Sequence, residues 1–358
     1  MKTPSNVFVN QALIHVMLVI SAVMSGSWSV FASISMNHMH SITFASLRAI
    51  LYTIVLLPVM IIADRSFVFP NNFKNSPVPF ITNRLPSKRG TGLFVLCGLF
   101  LSLNQLSFTG GLAITSPNTA ALFGPVNVVA ISIGSILVKH EQITKLKALG
   151  ITIAVVGAFG TALFEILTKG TDVQDKPFNS LSLLGYILLT INVICNSAYV
   201  NLQTTIMIRD HVPTLTVSFW CYLYSTIFTT AVASFYWTSI NLDTITWEAW
   251  YGVVYAATMG ASIPWTINAY GTKLLKPTAR AVHGAMAPVY TAIFSYLLLG
   301  DIIGWYMAVG ALVISSGVVC VGLSKSMETA KKELRKEVTM KEVMMQDSTE
   351  FVDEVEKV

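Results

Sequence analysis

Asn192 and Asn196 stand four residues apart in an apolar run that carries no charge from Leu181 to Thr205. Four residues is about one helical turn, so the two carboxamides share a face. Polar groups of similar kind sit in other apolar runs: Asn104 with Gln105, Asn127, Tyr199, Trp265 with Asn268, and His283 with Tyr290. Between them these side chains donate and accept hydrogen bonds, but they make no nucleophile–base pairing and no metal-binding spacing. They suit recognition of a polar solute better than a reaction. In a segment that crosses a bilayer, such a group marks either a helix–helix tie, worth about 0.6 kcal/mol on average, or a cavity. As a set they point to a polar cavity, with Trp28 closing one wall.

Two cations are candidates for attracting a carboxylate or phosphate and for gating. Arg48 lies seven residues into its run, about 10 Å below the helix end at 1.5 Å per residue. Arg280 lies one turn into another. Structural roles compete with this: Arg48 could bind helix-end carbonyls or Glu165, and Arg280 could reach headgroups by snorkelling. No Asp or Glu falls at the centre of a run, so a carboxylate proton relay has no candidate. His283 is the deep group whose ordinary pKa lies near neutrality. That balance favours facilitated movement or exchange over tight proton coupling. Without a G-x-x-x-x-G-K-[ST] loop or an H-E-x-x-H pair, the sequence calls for no metal or other cofactor and reads as a non-enzyme. Cys97, Cys195, Cys221 and Cys320 all lie in apolar runs and read as small buried apolar residues.

The elements that must hold these groups are long and apolar. Hydrophobic residues make up 53% of the 358 and charged residues 11%, against about 25% charged in soluble proteins. Ten runs are long enough to cross a hydrocarbon core of about 30 Å: Phe8–Ser33, Ser41–Ala63, Thr91–Ala113, Pro117–Val138, Lys147–Leu167, Leu181–Thr205, Pro213–Trp237, Trp247–Tyr270, Pro277–Leu299 and Ile302–Leu323. The fold class is therefore an all-α polytopic membrane protein of ten transmembrane helices. The first run is too long for a cleaved leader and reads as a permanent span. All but Arg48, Lys169 and Lys176 of the 23 lysines and arginines fall on one side of such a chain. By the positive-inside rule both termini are cytosolic, in the plasma membrane or an endomembrane. Trp237, Trp247 and Trp250 flank an outer loop, where amphipathic rings settle. Residues 324–358 form a charged cytosolic tail.

Shifted by 160 residues without a gap, the chain matches itself. Pro117 meets Pro277, Ala121 meets Ala281, Gly124 meets Gly284, Glu141 meets Asp301, Gly150 meets Gly310, and Gly157 meets Gly317. Matches at proline, glycine and acid together mark a repeat of whole elements. Each unit holds five spans, an odd number, so the second enters the membrane from the opposite side. The organisation is residues 1–168 as a first five-helix repeat, 169–180 as an outer linker and 181–323 as a second repeat. Inverted repeats of this kind place a solute site at their interface near the midplane. The segment "AITSPNTAALFGPV" then reads as a tight turn and helix cap at Thr115–Asn118. Gly124 is expected to admit a neighbouring backbone, and Pro125 to kink the helix. Pro125 and Pro288 are expected to be flexible points in moving helices.

The turn–proline–small-residue span, the acid closing "LLLGD" at Leu297–Asp301 and the glycine-bearing last helix resemble the drug/metabolite transporter superfamily, EamA type, over about Phe8 to Leu323. The stretch "NQLSFTGGLAITSPNTAALFGP" is similar to plant-type amino-acid and auxin exporters of that superfamily. Lys139-His140-Glu141 departs from the usual Gly-Glu. The resemblance implies a cavity between the first, third, fourth, sixth, eighth and ninth spans. It also implies a secondary transporter that moves a small polar metabolite, an amino acid or another organic anion or zwitterion, by alternating access. A nucleotide-sugar or sugar-phosphate antiporter is the alternative within the superfamily, and a channel or receptor-like protein the alternative outside it. Expected partners are a small-molecule solute and the lipid bilayer, with no nucleic acid and with room for a homodimer.

Overall fold

The computed structural model describes residues 4–64, 88–138, 143–169, 180–210, 214–236, 246–264, 267, 286–300, 304–306, 308–324 and 327. All regular structure among them is helical: α1 (Pro4–Met36), α2 (Ser41–Asp64), α3 (Lys88–Ile114), α4 (Pro117–Leu137), α5 (Lys145–Lys169), α6 (Ser180–Asp210), α7 (Thr214–Ser234), α8 (Trp247–Ala257), α9 (Ala287–Leu299) and α10 (Ala308–Ser324). A chain without water around it must satisfy its backbone within the segment, which a helix does. α1 to α4, α6 and α7 are each long and apolar enough to cross a membrane by length and composition. All ten expected runs contain one of these helices.

Local chemistry fixes several ends. Ser116 caps α4, its hydroxyl accepting from the Thr119 N–H at 3.2 Å, and Pro117 takes the first turn where its missing N–H costs nothing. α9 closes on Gly300 at φ 71°, the left-handed conformation that glycine enters without a side-chain clash. Pro288 stands in the first turn of α9, where its missing N–H breaks no ladder bond. α4 runs unbroken across Pro125. The α8 run, expected to be helical throughout, leaves the α register at Thr258–Ser262 for one π turn. Gly260 and Pro264 explain the break: a proline removes one ladder bond and its ring crowds the carbonyl four residues back.

Packing exchanges helices between the two halves. α1 packs on α8 and α9 of the second half, while α6 packs on α3 and α4 of the first; α2 joins α8 and α7 joins α3. This yields two four-helix bundles, α1–α2–α8–α9 and α3–α4–α6–α7. They meet chiefly along two seams, α2 with α7 and its neighbour α3, and α4 with α9. Hydroxyls line the first seam: Thr53 meets Thr226 at 2.8 Å and Ser46 meets Thr230 at 3.3 Å. At the second, Asn118 donates to Ser295 at 3.3 Å. Early residues of α4 thus face late residues of α9, so these repeat equivalents run antiparallel.

α5 and α10 pair the same way outside the bundles. A methyl group at Gly150 would stand 2.6 Å from the Gly317 carbonyl oxygen, and one at Gly157 would meet Val313 and Ile314. Close backbone approach through small residues is how helices associate where lipid removes the hydrophobic drive. Lys147, expected at the cytosolic surface, is fully buried at the start of α5.

Candidate solute cavity

α1, α2, α3, α4, α6, α7 and α9 line an open cavity of about 230 Å³ between the two bundles. On one wall Trp28 of α1 lies against Phe108 of α3, ring centroids 4.8 Å apart. The Arg48 guanidinium sits 4.3 Å from the Trp28 ring centroid, within cation–π range. Its Nε donates to the Ala256 carbonyl at 3.4 Å. No carboxylate is among the described lining residues, and Arg48 is the cation among them.

Carboxamides form the opposite wall. Asn104 and Asn192 clasp each other's backbone: Asn104 Nδ2 donates to the Asn192 carbonyl at 3.1 Å, and Asn192 Nδ2 to the Asn104 carbonyl at 2.9 Å. Asn196 Nδ2 donates to Asn127 Oδ1 at 3.2 Å, joining α6 to α4. Gln105 Oε1 and Asn192 Oδ1 are buried with no hydrogen-bond partner. An orphaned buried acceptor costs about 1–3 kcal/mol, so this wall has unused hydrogen-bonding capacity. Thr291 of α9, whose hydroxyl donates to the Gly26 carbonyl at 2.6 Å, completes the rim with Pro288 and Ala287.

Of the residues singled out from sequence, Trp28, Arg48, Asn104, Gln105, Asn127, Asn192 and Asn196 line this cavity together. Tyr199 does not. It is fully buried in an apolar cluster with Tyr52, Tyr222 and Leu101. Tyr199 shares the azimuth of Asn192 but lies seven residues further along α6, about 10 Å deeper. There α2 and α7 close over it. Tyr290 points its Cβ at Gly26, so it packs on α1 instead of lining the cavity. Trp265, Asn268, Arg280 and His283, and the Glu165 side chain, lie outside the described residues. Among the described residues nothing lies within 4 Å of where a Cβ at Gly124 would stand, and Gly124 borders the cavity. Sequence reasoning missed Ser25, Ser29, Phe108, Tyr222 and Thr291. Small hydroxyls and aromatics are ordinary in apolar helices, and only the packing singles these out.

The sequence profile of the EamA-like transporter family matches residues 12–163 and again residues 183–323. The chain belongs to the EamA-like transporter family. Membership makes it an integral, multi-pass membrane transporter of the drug/metabolite superfamily, in which members are transporters and not enzymes. The double match gives the two-repeat architecture. One solved structure, titled "Crystal structure of protein", is similar in fold with a TM-score of 0.56 at 14% sequence identity, over 88% of this chain and 98% of that one.

Proposed function

We propose that this EamA-like protein carries a small organic anion or zwitterion, such as an amino acid, by alternating access, as a facilitator or exchanger. The observation that supports it best is the placement of Arg48. Among the described lining residues one cation, stacked on an indole and facing carboxamides, stands in a cavity at the junction of two bundles. A carboxylate or phosphate on the solute satisfies the cation, and the Asn192 and Gln105 carboxamides and Trp28 read the rest. A volume of about 230 Å³ is below the roughly 300–1,000 Å³ of drug-sized pockets. That favours a small metabolite over a nucleotide sugar.

The moving parts in this reading are the two exchanged bundles, not the two repeats. The α1–α2–α8–α9 bundle rocks against α3–α4–α6–α7 about the seams, exposing the cavity to each side in turn. Both termini are cytosolic, the five-helix units being 1–168 and 181–323. Flux in proteoliposomes tests the reading. A carrier saturates with solute and is stimulated by solute on the far side, whereas a channel does neither. Accessibility labelling should place Lys88 and Lys276 on the same side; labelling from opposite sides sinks the inverted orientation.

A further inference from the structure

The π turn of α8 touches the cavity through two of its walls. Ile263 N–H reaches back five residues to the Thr258 carbonyl, marking the slipped register. Side-chain donors hold the carbonyls that lead into the turn: Arg48 Nε on Ala256, and Ser262 Oγ on Ala257 at 2.9 Å. Gly260, inside the turn, presses directly on Trp28; a methyl there would stand 2.6 Å from the Trp28 Cβ. Pro264 comes immediately after, its own carbonyl accepting from Ser21 Oγ of α1 at 3.4 Å. With no N–H of its own, Pro264 keeps an α register from closing perfectly, which brings the two registers near in free energy.

We propose that this turn is a register switch operated by the solute's carboxylate, with Arg48 as its arm. The inference rests on the carrier reading and adds its coupling step. In the state described, Arg48 holds the Ala256 carbonyl and the turn stays π. A small carboxylate in the cavity competes for the same guanidinium. Once Arg48 leaves Ala256, α8 loses its tie to α2 just ahead of the turn, and the turn can tighten toward α as the Ile263 N–H passes from the Thr258 carbonyl to that of Met259. One residue of slip rotates the chain beyond the turn by about 100° and shifts it by about 1.5 Å, displacing Ile263 and Pro264 against α1. Occupancy is thereby converted into movement within the α1–α2–α8–α9 bundle. Gly260 is the position that lets the turn slide past Trp28.

Amide hydrogen exchange on the full chain in lipid nanodiscs tests this with sodium benzoate as the probe and benzamide as its neutral isostere. Benzoate is expected to slow exchange in the peptide spanning Thr258–Ile263 by about tenfold, and benzamide to leave it unchanged. Arg48→Gln should abolish the benzoate response while keeping the wild-type helix protection elsewhere. Ser262→Ala, which frees the Ala257 carbonyl, should slow exchange in that peptide without any ligand. Benzoate that fails to alter the turn, bound or not, overturns the switch, as does a benzamide response equal to benzoate's. These outcomes are independent of flux. A protein that saturates and trans-stimulates but shows no response at the turn remains a carrier without this coupling, whereas absent flux sinks the carrier reading itself.

Discussion

Single side chains in this protein divide by what they touch rather than by their chemistry. Asn192 and Tyr199 share one face of α6, yet the first borders the cavity and the second is sealed among Tyr52 and Tyr222 with its hydroxyl unpartnered. A buried hydroxyl with no partner contributes nothing to offset its desolvation. Tyr199→Phe is therefore expected to leave the KM for the transported solute unchanged and to hold or raise the melting temperature; a severalfold rise in KM would return Tyr199 to the cavity wall. Gly124 behaves oppositely. Its Cβ position is open among the described residues and it borders the cavity, so Gly124→Ala should fold normally and weaken transport of the larger solutes in a size series first. The carboxamide set could be found from sequence because polar groups deep in apolar runs are costly. The depth at which a given face meets the cavity could not, since periodicity fixes azimuth and not which neighbour closes over each turn.

Helices were legible where length and hydropathy decide them and less so where a proline interrupts the ladder. α1 to α7 fall on their expected runs, each bounded within a few residues. α8 does not remain α-helical, because Pro264 withdraws a donor and Gly260 tolerates the close approach of Trp28. The repeat's glycines at 150 and 317, matched to 310 and 157 by sequence alone, turn out to be the contact between α5 and α10. A leucine at Gly150 would drive a side chain into the Gly317 backbone. Gly150→Leu should lower thermal stability in detergent markedly, by about 1–3 kcal/mol of overpacking. Gly160→Leu, where nothing lies within 4 Å of the Cβ position, should cost far less. Equal losses would show that α5 and α10 do not depend on that contact.

At the scale of the molecule, sequence supports two five-helix units, but the bodies that pack together are made by exchange between them. Disulfide cross-links can separate these views. Asn118→Cys with Ser295→Cys joins α4 to α9 across a seam between bundles, so oxidation should arrest transport and reduction restore it. Ser35→Cys with Ala249→Cys joins α1 to α8 inside one bundle, where the serine hydroxyl already donates to the Ala249 carbonyl at 3.0 Å. That link should leave flux within about twofold of the reduced protein, because Ala249 lies ahead of the π turn and the link spans no seam between the bundles. Arrest by the second link and not the first would favour rocking of whole repeats.

The swap of first helices also constrains biogenesis. Thr291 closes on the Gly26 carbonyl across 265 residues of sequence, so α1 waits in the membrane for partners that the ribosome makes last. A gene cut between α5 and α6 should yield an N-terminal fragment that is degraded when made alone. Co-expression with the C-terminal fragment should rescue both, in the same cells and without a covalent link. Half-molecules that accumulate separately at wild-type levels would mean that each closes on itself.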